Sequence, residues 1–157
     1  MKSNYGFDRV GELGLVSKLK WSVKKLDLGQ DMIIHWGSPY EKLLPYFYYG
    51  ATDIFVLPST GRTESFGIVL LDAASAGLPI VVSSLDTFRA FIRDGYNGLV
   101  TKLGDIDSLA ETINRLLSEP ALRQKMGQNA RNKVKDYSWQ EIAKTMEKVY
   151  EKAITKA

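Results

Sequence analysis

The stretch that decides the fold runs from Asp53 to Ser83 and reads D-I-F-V-L-P-S-T-G-R-T-E-S-F-G-I-V-L-L-D-A-A-S-A-G-L-P-I-V-V-S. Asp53-Ile-Phe-Val-Leu57 is a short apolar run of the buried-strand kind, closed by Pro58. A polar loop follows, Ser59 to Thr63. The next apolar run predicts a helix from about Phe66 to Ala76, capped by Gly77. Pro79-Ile-Val-Val-Ser83 then predicts a second strand. Strand, helix and strand in this order imply a crossover between parallel neighbours.

The flanking sequence continues the alternation. Met32 to Trp36 predicts a strand ended by the turn Gly37-Ser38-Pro39, and Leu43, Leu44, Phe47 and Tyr48 lie at helical spacing between Glu41 and Ala51. Thr87 to Arg93 predicts a short helix, Asp94-Gly95 a turn, and Leu99-Val-Thr101 a strand. After it, Asp105 or Asp107 is placed to cap a helix running to about Leu117. Pro120 opens another helix, to about Lys135. Ser138-Trp-Gln-Glu141 has capping-box spacing and opens a last helix through Ile142, Met146, Val149 and Tyr150. The expected fold is α/β: a Rossmann-like parallel sheet with helices on both faces and a helical C-terminal segment. One domain is expected over residues 1–157, with 1–24 unassigned as a helical or edge segment and 138–156 as the terminal helix. Trp21, Trp36 and Trp139 read as packing residues.

Composition narrows the functional classes. The 157 residues suffice for one hydrophobic core, and 45% hydrophobic with 25% charged residues excludes a disordered chain. No run approaches the roughly 18 apolar residues of a spanning helix. Nothing resembles a signal peptide, and the chain has no cysteine, so a cytoplasmic protein is expected, or one peripheral at the inner face of the membrane. Residues 1–30 carry a net +3 and residues 119–157 a net +4, whereas 31–118 carry −4. The motif-bearing middle is acidic, which argues against a nucleic-acid partner.

In a parallel α/β sheet, ligands sit beyond the carboxyl ends of the strands. That rule selects the loops 37–40 and 58–66. The second runs directly into a helix, whose first amides and dipole suit an anion such as phosphate. Glu64, just ahead of that helix, would repel an anion placed on it, so it is expected to face neutral polar groups such as sugar hydroxyls. Asp72 lies eight residues farther, at most about 12 Å along a helix axis and some 80° around it. The run Ile68 to Ala76 is nearly all apolar, so Asp72 is expected to be a buried carboxylate that needs a partner or a ligand.

Pro58-Ser59, Glu64-Ser-Phe-Gly-Ile-Val-Leu-Leu-Asp72-Ala, Ala76-Gly-Leu-Pro-Ile-Val-Val-Ser83 and Asp94-Gly-Tyr-Asn-Gly98 together resemble the C-terminal domain of the retaining GT-B glycosyltransferases of the "glycosyl transferases group 1" family. The likeness covers roughly residues 25–150. It implies transfer of a sugar from a nucleotide-sugar donor (a UDP-, GDP- or ADP-sugar) to an acceptor hydroxyl on a glycan, lipid or small molecule, without a bound metal or other cofactor. By the same resemblance Glu64 is the catalytic-site carboxylate on the donor sugar. Ser65, Phe66, Gly67 and Ile68 hold sugar and diphosphate oxygens; the loop 58–64 is longer than the family's common form, and its Arg62 is placed to supply a phosphate-facing charge. Asp72 binds the ribose, and Gly37, Ser38 and Pro39 line the base.

Three departures qualify the likeness. Asp72 stands where the family has glutamate, one methylene longer. Asp86-Thr87 and Ala90 stand where it often has Gly-Gly and Glu. The family's first two C-terminal strands and its N-terminal, acceptor-binding domain have no counterpart in residues 1–24. Either residues around Val10 to Val16 pair in the gap, the sheet is rearranged, or another chain supplies strands, and a homodimer or a separate subunit is the expectation. The alternative function is a nucleotide-sugar-binding module, or a noncatalytic subunit, inactive without a partner that carries the acceptor site.

Overall fold

The computed structural model describes residues 21, 22, 24–27, 48–61 and 64–155. The chain divides into a unit Met1–Pro39 and a unit Tyr40–Ala157, and the elements below belong to the second. The expected strand 32–36, the turn Gly37-Ser38-Pro39, His35 and Trp36 lie outside the described residues, as does Arg62.

Three parallel strands form the described sheet in the order β1-β2-β3: β1 Phe55–Leu57, β2 Ile80–Ser83 and β3 Leu99–Thr101. Phe55 pairs with Ile80, Val81 with Leu99, and Ser83 with Thr101. β2 is buried throughout because it is central and covered on both faces. Its side chains alternate between two cores. Ile80 and Val82 meet Leu70, Ala73, Ala74, Phe88, Phe91 and Ile92, whereas Val81 meets Leu99, Leu116 and Met126.

Helices cover both faces, as the alternation of elements requires. α1, Val69–Ala76, fills the first core; α2, Ile106–Ser118, closes the second; α3, Pro120–Lys133, contributes Ala130 to the first and Met126 to the second. The side chain of Asp105 caps α2 by accepting from the Ser108 amide at 3.0 Å, and that bond lowers its carboxyl below the usual range. Arg123 Nη1 donates to the carbonyls of Leu116 and Leu117, both at 2.8 Å, closing the corner between α2 and α3.

α1 ends in a Schellman arrangement. Gly77 adopts φ +80°, its amide donates to Ala74 O, and the Leu78 amide reaches Ala73 O. α3 lies directly on this cap, and Arg131 Nε donates to Ser75 O at 3.2 Å.

Several boundaries differ from the sequence reading. α1 begins at Val69 rather than near Phe66, because Gly67 sits at φ +76°, a left-handed conformation no helix contains. The short helix expected over 87–93 is a 3₁₀ turn, Asp86–Ala90. α3 stops at Lys133 and tightens into a 3₁₀ segment, Val134–Tyr137. α4 spans Trp139–Thr155 and its capping box is half made: Ser138 Oγ accepts from the Glu141 amide, but the Glu141 carboxylate turns to Lys144.

No residue of α4 is buried, and Trp139 is 83% exposed. Trp21 is exposed too, with the Lys25 ammonium 4.8 Å from its ring centre. Neither tryptophan therefore packs as expected. Among the described residues, no helix is long and apolar enough to cross a membrane.

Candidate functional site

The carboxyl ends of the strands converge on the loop that leaves β1. Ser83, at the end of β2 and buried, donates its hydroxyl to Ser59 O. Thr101, at the end of β3, donates to Val82 O at 3.2 Å. Ser59 in turn donates its hydroxyl to Glu64 Oε2 at 3.1 Å, and the Glu64 amide meets Gly61 O at 3.5 Å. Glu64 is half-buried and stands just before the first turn of α1, where the reading placed it.

The segment Ser65–Ile68 forms the entrance to α1. Ser65 is exposed; the Phe66 ring turns inward, 5.7 Å from the ring of Tyr137, so its contribution to an open site is its backbone. Gly67 is buried, and a Cβ there would stand 3.2 Å from Phe88 Cε1 and 3.3 Å from Leu70. Within the first turn, Leu70 N donates to Gly67 O and Leu71 N to Ile68 O. Among the described residues, none accepts from the amides of Gly67, Ile68 or Val69, and no side chain caps the helix. These are the free donors of a helix start, carrying its partial positive charge.

Asp72 corrects the sequence reading. It is exposed, not buried, and so are Ser65, Ile68, Val69 and Ser75. Of these, Ile68, Val69, Asp72 and Ser75 belong to α1 and its N-cap, and their spacing makes them one open stripe. The run is amphipathic in space although its outward face carries Ile68, 72% exposed, and Val69. The burial argument for Asp72 therefore falls. What remains is its place, one turn beyond Ile68 on the same stripe as the free amides.

Tyr49 lies within the electrostatic reach of that carboxylate. Burial first, and the Asp72 charge second, push its phenol above the usual tyrosine value. The neutral phenol is thus favoured in the folded chain, a stabilisation present below the ordinary tyrosine range and lost as the pH rises through the folded value. Asp72→Asn is expected to lower the Tyr49 value while leaving it above that of a free tyrosine, since burial persists. Phenolate absorbance, read as a difference against Tyr49→Phe, measures this; no change on Asp72→Asn contradicts the placement.

Two clefts open beside the loop. One of about 330 Å³ is lined by Ser83, Ser84, Phe88, Arg89 and Asp94 among others. One of about 220 Å³ is lined by Pro58, Thr60, Ser83, Thr101 and Lys102 among others. Neither is lined by Glu64 or Asp72. Where the resemblance expects Gly-Gly, Asp86 pairs with Arg89 at 3.2 Å, and the buried Thr87 hydroxyl has no hydrogen-bond partner among the described residues.

The D-G-x-N-G turn is structural. Asn97, fully buried, accepts from the Arg93 amide at 2.7 Å and donates to Phe91 O at 3.0 Å, while Asp94 accepts from the Val100 amide at 2.9 Å. Ser83 is the residue whose part the sequence reading missed. Its one signal is a polar residue ending the apolar run Ile80-Val-Val.

The described elements combine, at the carboxyl edge of a parallel sheet, an anchored carboxylate, free helix amides and a second carboxylate one turn on. Comparison with known proteins bears on the family and the fold. The family model for glycosyl transferases group 1 matches residues 2–133. A phosphatidyl-myo-inositol mannosyltransferase of Mycobacterium leprae is 38% identical over 105 residues, covering 67% of this chain and 28% of that protein. The sucrose-phosphate synthase of Thermosynechococcus elongatus is similar in structure, with a TM-score of 0.75 and 27% identity over 90% of this chain and 35% of that one. Anabaena Alr3699/HepE in complex with UDP-glucose shares the fold, with a TM-score of 0.73 and 23% identity over 88% of this chain and 38% of that one. The chain thus spans about a third of the length of the proteins it matches.

Proposed function

The chain belongs to the group 1 glycosyltransferases, and we propose that it binds the donor of such an enzyme, a nucleotide sugar, at the loop and helix start from Ser59 to Asp72. The observation that carries this reading is the Glu64 carboxylate, held by Ser59 on the loop that leads into the free amides of Gly67, Ile68 and Val69. Glu64 accepts from hydroxyls of the donor sugar. The amides take sugar or phosphate oxygens, where helix polarity stabilises the negative charge that grows on a departing nucleoside diphosphate. Asp72, exposed on the same stripe, accepts from the ribose hydroxyls. Departure of the diphosphate with attack by the acceptor on the same face retains configuration at the reacting carbon. That HepE was crystallised with UDP-glucose supports a nucleotide-sugar donor.

Coverage of only 28% of the mannosyltransferase favours a second reading for the chain on its own: a donor-binding module whose turnover needs acceptor-side residues outside it. Calorimetry with UDP-glucose, GDP-mannose and ADP-glucose, and with the matching diphosphates, tests the donor site. A parallel hydrolysis and transfer assay separates enzyme from module. Glu64→Ala is expected to weaken the preferred nucleotide sugar by about tenfold to a hundredfold, the range of a hydrogen bond to a charged group, and to spare the diphosphate. Asp72→Ala is expected to weaken both by about tenfold. If both variants leave binding unchanged, the site is elsewhere.

A further inference from the structure

Glu64 sits on an irregular loop, and a carboxylate on a loop must be held if it is to meet one sugar hydroxyl. The loop has its own fastening. Ser83 is only 3% exposed and belongs to the central strand, the most rigidly paired and buried element described. Its hydroxyl donates to the carbonyl of Ser59, crossing from β2 to the loop after β1. The Ser59 hydroxyl then donates to Glu64 Oε2 at 3.1 Å. Glu64 is thereby connected to the core through two hydroxyls and one peptide unit. Among the described residues, Oε1 makes no hydrogen bond.

We propose that Ser59 and Ser83 are positioning residues for Glu64, fixing its Oε2 so that Oε1 is the oxygen presented to the donor sugar. This rests on the donor-site reading above. Its physical basis is separate: a hydroxyl donor on one carboxylate oxygen fixes the plane and rotamer of the group, and so spares the ordering cost when a sugar binds. Ser83 donates to the main-chain carbonyl of Ser59, Ser59 donates through its own hydroxyl to Glu64, and a carboxylate only accepts. A sugar hydroxyl meeting Oε1 therefore donates to it.

The test is calorimetry on the full chain with UDP-glucose, GDP-mannose and ADP-glucose, followed by the diphosphate of whichever binds most tightly. Ser59→Ala is expected to weaken that nucleotide sugar about tenfold and to leave the diphosphate unchanged, with the thermal midpoint nearly unmoved because Ser59 is only half-buried. Ser59→Thr keeps a hydroxyl and is expected to restore most of the loss. Ser83→Ala weakens the nucleotide sugar in the same direction. Because Ser83 is buried, its variant is read only alongside a melting curve. Equal losses for sugar nucleotide and diphosphate in Ser59→Ala, no loss at all, or no rescue by threonine each overturn the proposal while the donor site stands. A wild-type chain that binds none of the probes removes the donor site and the positioning role together.

Discussion

Gly127→Ala is expected to lower the thermal midpoint by about 10 °C or more, corresponding to a loss of about 3 kcal/mol or more. The reason is a contact that tolerates no added atom. A Cβ at Gly127 would stand 2.0 Å from Gly77 O and 2.9 Å from Gly77 C. Both are backbone atoms, and Gly77 is pinned in its left-handed cap by the amide bonds that close α1. Relief requires α3 to withdraw from α1. That withdrawal pulls Ala130 and Met126 out of the two cores and stretches the Arg131 bond to Ser75 O. Overpacking that a flexible side chain absorbs is mild; here the obstacle is main chain on both sides. Calorimetric melting of Gly127→Ala beside Gly104→Ala decides the matter. Gly104 is the converse case: it sits at positive φ, +73°, but has open space where a Cβ would go. Gly127 lies within α3 and carries no left-handed strain, so its loss comes from the contact with Gly77 alone; a loss in Gly127→Ala no larger than that in Gly104→Ala would mean that the helices absorb the added methyl.

The same pair of helices shows what sequence patterns reveal and what they do not. Gly77 as a cap, Pro120 as a helix start and Leu99–Thr101 as a strand are local decisions, set by residues a few positions apart, and they stand as read, while of the two caps the sequence allowed, Asp105 and Asp107, the structure uses Asp105. Gly127 looks like an ordinary weak helix residue until α1 is placed against it. Asp72 is the sharper case. In Ile68 to Ala76 nearly every residue is apolar, so periodicity cannot say which face turns inward, and the choice belongs to the tertiary structure. Gly67 made the choice: its positive φ starts α1 at Val69 and rotates Ile68, Val69 and Asp72 to the outside. Exposure of two aliphatic residues beside a carboxylate is a poor fit to a protein core and a good fit to a face that a ligand covers.

The Ser83–Ser59–Glu64 connection was out of reach of the sequence for a different reason. It joins residues 24 positions apart, and neither serine belongs to any repeating pattern. The family resemblance supplied Glu64 and left unstated how a loop carboxylate keeps its place. α4 gives the opposite lesson, since its apolar period was legible while the exposure of Ile142, Met146, Val149 and Tyr150 was not. Periodicity identifies a face. It does not bring a neighbour to it.

Gly67→Ala carries the other large effect, and it joins stability to function. Two costs add at this position. An L-residue at φ +76° costs about 1–2 kcal/mol. The added methyl would also stand 3.2 Å from Phe88 Cε1 and 3.3 Å from Leu70, and both side chains are fully buried. The Phe88 ring cannot retreat without disturbing Phe91 and Ile92, so a further overpacking cost of about 1 kcal/mol or more is expected. Gly95→Ala separates the two: Gly95 has φ +71° and nothing within 4 Å of its Cβ position, so it pays for strain alone. Melting should therefore rank Gly67→Ala well below Gly95→Ala. Binding should rank them further apart. Relieving the contact with Phe88 rotates the first turn of α1 and swings the amides of Gly67, Ile68 and Val69 away from one common target, whereas Gly95 lies in a turn that carries no free helix amides. At a temperature where both variants are folded, Gly67→Ala is expected to lose nucleotide and nucleotide-sugar affinity alike, because the amides serve the part both ligands share. Affinity retained by a folded Gly67→Ala chain would detach the helix start from the donor site and leave Glu64 without its neighbouring donors.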